Sequence, residues 1–356
     1  MDAVGEQIKE LSSKVKKAEI PADLQEKILV RLDQLSRLTN SPTFLPEYDR
    51  VNRYVSWVIS IPWEKRTKDN LDLVHAKKIL DKNHYGLEEI KNRILEYMSV
   101  MKLKQVQSGG EGLTKKQQVT LKRAPILCFV GLVGTGKTTI AASIAETLDR
   151  KFARIPFGGM GNPLDLRGES RMKPEAEPGK VIKALRTTQS INSVILLDEI
   201  DRVAEEGRSS IMGVLVELLD PEQNNSFVDH FVDYPIDLSE VLFITTANNT
   251  QSIATAVMDR IELIAMPSYS DSEKITIARD YMLPKILATS GIPEGGLVFD
   301  DDVWPQIVRP LGFDSGMRTL GRTVQGVARK VAKMMIEGKG KSFRITTENI
   351  KEFLPR

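Results

Sequence analysis

Cysteine is almost absent from these 356 residues: Cys128 is the single thiol. It excludes an internal disulfide framework and fits a reducing compartment. Its setting, the apolar run Ile126 to Val130, is that of a packed strand residue. There is little net charge. Fifty Lys and Arg stand against 48 Asp and Glu, a formal +2, so neither nucleic acid nor an anionic membrane surface is favoured as principal partner. Long hydrophobic runs are also lacking. No stretch approaches the roughly 20 apolar residues of a membrane span, and Met1 to Lys17 mixes Glu and Lys with spaced aliphatics, unlike a secretory leader. A soluble, cytoplasmic protein is expected. Histidine is scarce: His75, His84 and His230 are scattered, a poor basis for a metal centre.

What is present divides into four parts. Leu24, Ile28, Leu32 and Leu35 recur at helical spacing, with Pro21 and Asp23 suited to a first turn. Tyr54, Val55, Trp57 and Val58 crowd into a second helix that Pro62 and Trp63 stop, which reads as the aromatic core of a small bundle. Residues 71–105 read as a helix-turn-helix broken at Tyr85-Gly86, and Gln105 to Gln118 turns polar and glycine-rich, a loop pattern. From Pro125 short β-branched runs alternate with helical segments, the signature of a parallel sheet covered on both faces. The expected strands are Ile126–Val130, Ala153–Phe157, Val194–Asp198, Val241–Ala247 and Leu263–Met266. Beyond Pro267 the chain turns helical again, interrupted at Ser290 to Gly296. The expected division is 1–105 helical, 106–124 linker, 125–267 α/β and 268–356 a helical lid.

Gly131-Leu-Val-Gly134-Thr135-Gly136-Lys137-Thr138-Thr139 follows an apolar strand and precedes a helical stretch, the context a phosphate-binding loop requires. Glycines let backbone N–H groups turn inward, the helix N-terminus adds positive potential, and Lys137 supplies a point charge to the β- and γ-phosphates. Thr138 offers a hydroxyl to Mg²⁺. Sixty residues on, Val194-Ile-Leu-Leu-Asp198-Glu199 reads as a buried strand ending in two carboxylates, costly unless a cation is near. Asp198 is expected to hold Mg²⁺ through water, and Glu199 to orient and deprotonate the attacking water.

Those two motifs, followed in order by Leu219-Asp-Pro-Glu-Gln-Asn224, Thr245-Thr-Ala-Asn-Asn249, Asp259-Arg260 and Gly316-Met-Arg318-Thr-Leu320, resemble the AAA+ ATPase module of Lon proteases. Trp57 to Trp63, Asn70-Leu-Asp-Leu73 and Asp81-Lys-Asn-His-Tyr-Gly86 resemble the helical segment that precedes it, so the likeness runs from Leu24 to Leu354. It implies a P-loop AAA+ fold, a five-stranded parallel sheet flanked by helices with an N-terminal helical segment and a small C-terminal lid. It implies ATP and Mg²⁺ as ligands and assembly into a hexameric ring. By the same resemblance Asn248 is the sensor that positions water with Glu199, Arg260 is an arginine finger reaching the neighbouring subunit's nucleotide, Arg318 is the lid sensor of the γ-phosphate, and Tyr85 with Gly86 packs the adenine.

Two departures matter. Lys173-Pro174 stands where the family presents an aromatic-aliphatic pair to a threaded polypeptide, and a hydrated ammonium grips apolar side chains poorly. No segment matching the family's Ser-Lys protease domain follows the lid before Arg356, so no proteolysis is expected of this chain by itself. Two readings follow: a motor that remodels or unfolds protein, alone or feeding a separate peptidase, and a nucleotide-gated interaction module that threads nothing. A DNA-directed loader has neither charge nor a recognition motif in its favour.

Overall fold

Val194, Ile195, Leu196 and Leu197 follow one another without a polar residue, and all four are fully buried. That is the mark of a strand covered on both faces. The computed structural model, which describes residues 3–38, 41–42, 44–108, 126–308 and 316–354, places them on an interior strand of a five-stranded parallel sheet. Its strands are β1 (Ile126–Val130), β2 (Phe152–Pro156), β3 (Val194–Asp198), β4 (Leu242–Ala247) and β5 (Ile261–Ala265), in the order β2-β3-β4-β1-β5. Each expected strand is present, with ends moved by at most one residue except at the start of β5, which lies two residues early, at Ile261. The register of β3 on β4 pairs Val194 with Leu242 and Leu197 with Thr245.

The chain divides into two compact units, residues 1–71, 99–128 and 148–262 in the first and 72–98, 129–147 and 263–356 in the second. In the first, α1 (Ala3–Lys17), α2 (Ala22–Ser36) and α3 (Phe44–Val58) pack together. Leu24, Ile28, Leu32 and Leu35 are all buried, as their spacing requires. Pro21 is the N-cap of α2, one place ahead of its first turn. Tyr54 and Trp57 do not form the core. Phe44, Val51, Val55 and Val58 of α3 are buried, while Tyr54 and Trp57 stay half-buried, with the Arg171 guanidinium over the Tyr54 ring at 4.7 Å and that of Arg186 over Trp57 at 4.2 Å. Cationic faces explain the difference, since an aromatic ring can be covered by an arginine where a valine cannot. The unit continues through α7 (Lys180–Thr188) and α8 (Arg208–Leu219).

The second unit contains α4 (Leu73–Asn83) and the start of α5 (Glu88–Ser108), separated by Gly86 at φ +61°. Helix α5 continues to Ser108, into the stretch expected to be a loop, and the remainder of that stretch and of the expected linker, 109–125, lies outside the described residues. Helix α6 (Lys137–Thr147) packs on α4. Then come α9 (Asp271–Thr276), opened by a capping box of Ser270 and Glu273, α10 (Leu283–Thr289) and α11 (Arg318–Ile336). Val324, Val327 and Val331 of α11 are buried, and Arg322, Arg329, Lys330 and Lys333 occupy its wet face. One feature had no signal: β6 (Leu297–Phe299) pairs in parallel with β7 (Phe343–Ile345) inside the helical part. Three-residue strands are too short for a period of two to register.

Candidate active site

In the second unit the loop from Gly131 to Thr139 is shaped by its glycines. Gly134 has φ +86° and Gly136 φ +95°, a region that costs an L-residue about 1–2 kcal/mol. Packing adds to this. A Cβ on Gly134 would stand 3.2 Å from Gly316 Cα, a Cβ on Gly316 would stand 2.3 Å from the Val133 carbonyl oxygen, and the Met317 N–H donates to the Gly134 carbonyl at 2.9 Å. The phosphate-type loop is thus seated on the residues that open α11, with Arg318 exposed at the first position of that helix.

Lys137 opens α6 and is buried, its ammonium donating to the carbonyls of Gly131 at 2.5 Å and Leu132 at 2.9 Å. Thr135 is fully buried and donates through Oγ1 to the Leu132 carbonyl at 2.9 Å; its own carbonyl accepts from the Tyr269 hydroxyl at 3.1 Å. Thr138 is half-buried in the first turn of α6, and Thr139 closes the turn by donating to the Gly136 carbonyl at 2.8 Å.

Tyr85 and Gly86 lie beside this helix, because the preceding His84 places Nε2 2.8 Å from Ser143 Oγ on α6. Burial, then the charges of Lys91 and Lys285, lower the His84 pKa to about 4, so the imidazole is neutral. Tyr85 meets Tyr281 edge-on with centroids 6.2 Å apart, and both line a hollow of about 470 Å³ with Lys82, Thr276, Asp280, Pro284 and Lys285.

In the first unit the acidic pair sits where β3 ends. Asp198 is buried. Its Oδ2 accepts from Arg154 Nε on β2 at 2.6 Å, and its Oδ1 accepts from the Thr246 hydroxyl on β4. Glu199 has left-handed backbone, φ +58° and ψ +50°, and its side chain meets Arg202 at 3.7 Å. Beside it Gly158 leaves room, since a Cβ there would come 3.2 Å from Glu199 Oε2.

Asn248 donates Nδ2 to Asp201 Oδ2 at 3.4 Å, and the second carboxylate oxygen of this buried Asp201 has no hydrogen-bond partner among the described residues. Asp198, Glu199, Asp201 and Asn248 therefore cluster at adjacent strand ends. Arg260 is held in another network: Nη2 donates to Asp220 Oδ2 at 2.9 Å and Nη1 to the Ala256 carbonyl at 2.7 Å. Burial alone would raise the Asp220 carboxyl, but the Arg260 hydrogen bond and the N–H groups of Glu222 and Gln223 bring it below the ordinary value.

Residues 127–269 match the family described as ATPase family associated with various cellular activities (AAA). A Lon protease of Lawsonia intracellularis is 42% identical over 349 residues, 98% of this chain and 40% of its own length. Lon protease 2 of Herpetosiphon aurantiacus is 37% identical over 353 residues, covering 99% of this chain and 41% of the relative. Residues 127–269 are thus an AAA-family domain, and nearly the whole chain is similar to the matching part of these Lon proteases. It spans about 40% of the length of the curated relatives it matches; a Lon protease of Bacillus thuringiensis, at 37% identity, is covered to 42%. Among the described residues no helix is long and apolar enough to cross a membrane.

Sequence reasoning missed Arg154, Thr246 and Arg202, the residues that hold the acidic pair, and Asp201, which accepts from Asn248. Thr246 lies inside the motif Thr245-Thr-Ala-Asn-Asn249, but only the register of β3 on β4 puts it beside Asp198.

Proposed function

We propose that this module hydrolyses ATP with magnesium and uses the cycle to remodel or unfold protein, as a cytoplasmic ring of six copies, working alone or with a separate peptidase. The arrangement that supports the chemistry best is the acidic strand end: Asp198 and Glu199 terminate a fully buried strand in a chain that also opens α6 with Lys137 behind a glycine loop. In this reading Gly131, Gly134, Thr135, Gly136, Lys137 and Thr139 belong to the phosphate cradle, and Tyr85 with Gly86 faces the adenine. Thr138 and Asp198 present oxygen donors, the type magnesium takes, and Asp198, buried with a half-exposed Arg154 as its cation, can exchange that partner for a metal. Bound magnesium would supply charge neutralisation at the phosphates.

Glu199 takes the proton of the attacking water, and Asn248 holds that water in line. Arg260 acts on the nucleotide of the neighbouring copy, its guanidinium aimed by Asp220, and Arg318 reports the γ-phosphate to the lid. The four-part division 1–105, 106–124, 125–267 and 268–356 is part of this proposal. The deciding experiment measures phosphate release with and without a chemically unfolded protein. Stimulation is the expected result, and turnover indifferent to any polypeptide would contradict the remodelling role.

A second reading, a nucleotide-gated interaction module, is favoured by one observation. Lys173 is exposed with its ammonium 3.7 Å from Glu169 and is followed by Pro174, and the apolar residue that stands out of this loop is Met172, 72% exposed. Changing Lys173 and Pro174 to an aromatic-aliphatic pair separates the two, because only a threading machine gains unfolding activity.

A further inference from the structure

We propose that Thr246 is the positioning residue of the acidic pair, one hydroxyl that fixes Asp198 and Glu199 together. The inference rests on the roles given above to those two carboxylates. Thr246 lies one residue beyond Thr245, which is in register with Leu197, so it stands level with Asp198 across the β3-β4 boundary. It is fully buried. Its hydroxyl donates to Asp198 Oδ1 and accepts the backbone N–H of Glu199 at 2.8 Å. A hydroxyl has one proton and two lone pairs, and this one spends its proton on the first carboxylate and a lone pair on the peptide that carries the second.

The conformation of Glu199 explains why such a tie is needed. At φ +58° and ψ +50° it occupies the left-handed region, which a non-glycine residue keeps only when its surroundings over-determine it. Two bonds do this: Thr246 takes its N–H, and its carbonyl accepts from the Arg202 N–H at 2.9 Å. Strand alternation would send successive side chains to opposite faces. The left-handed turn breaks the alternation at Glu199, so both carboxylates leave the strand end on geometry set by Thr246. Thr245 provides an internal contrast. It is equally buried on the same strand, but its side chain leaves the opposite face, towards the Cys128 thiol and away from the acidic pair.

The test compares steady-state ATP turnover of Thr246→Val, Thr246→Ser, Thr245→Val and Glu199→Gln, with amide hydrogen exchange at Glu199 in nucleotide-free protein as a readout independent of turnover. Thr246→Val is expected to lower kcat on the order of 10²-fold, the scale of a small misplacement of a reacting group, with KM for ATP within about threefold. It should also speed exchange of the Glu199 amide. Thr246→Ser, which keeps the hydroxyl, should restore kcat and protection, and Thr245→Val should change neither. Should Thr246→Val fail to fold, Thr246→Ala reads the same loss without the added methyl. The inference is overturned if a folded hydroxyl-free variant keeps wild-type kcat and protection, or if Thr246→Ser is as impaired as Thr246→Val, which would mark the role as packing. Retained turnover in Glu199→Gln would instead overturn the assignment of Glu199.

Discussion

The glycine loop of the second unit and the acidic strand end of the first are built from different materials. The loop is made of backbone: positive φ at Gly134 and Gly136, carbonyls of Gly131 and Leu132 turned to Lys137, and glycine-to-glycine packing of Gly134 on Gly316. The strand end is made of side chains: Arg154 and Thr246 on Asp198, Arg202 on Glu199, Asp201 on Asn248. A cradle of peptide groups suits an anion that must be held throughout a cycle. A network of side chains suits groups that act at one moment and must be aimed. Substitutions in the loop are therefore expected to change binding, and substitutions around the strand end to change turnover.

The largest effect should come from outside both regions. Arg260→Ala is expected to lower kcat by about 10³-fold or more, the scale of an arginine finger, with ATP affinity retained. Phosphate release by assembled protein checks it, and unchanged specific activity would remove the inter-subunit role. Glu199→Gln comes next, with a loss of about 10²–10⁴-fold in turnover and nucleotide binding intact. If that variant failed to bind ATP, the division between holding and acting would break.

Lys137→Ala should do the reverse. Losing charge-assisted hydrogen bonds worth ~1.5–3 kcal/mol each weakens ATP affinity about 100-fold, as calorimetry would show, and equal affinity would exclude the loop as the phosphate site.

The last effect, on stability and not on ATP, is a pH dependence where α4 packs on α6. The His84 pKa, lowered by burial to about 4, lies below the unfolded value near 6.5. The unfolded chain therefore takes up the proton first, so stability is full above about pH 6.5 and declines as pH falls from there towards 4, by about 3 kcal/mol at most. Denaturant midpoints across that range should fall for the natural chain and flatten for His84→Asn. No change in slope would refute the buried neutral imidazole.

The contrast also decides what the sequence made legible. Glycine spacing, an apolar strand before it and a helix after it are local signals, so the loop could be read residue by residue, as could β3 with its two terminal carboxylates. Thr246 and Arg154 could not, because they reach Asp198 only through the register of neighbouring strands, which a single sequence leaves open. The three-residue strands β6 and β7 escaped for want of length. Tyr54 and Trp57 were misplaced because Arg171 and Arg186, far along the chain, cover their rings.

The effects on binding and turnover presuppose that the chain binds magnesium and ATP. Calorimetric titration of the unsubstituted protein with both ligands tests this directly. A saturable heat of association is the predicted result, and no heat in folded protein would contradict the account at its base.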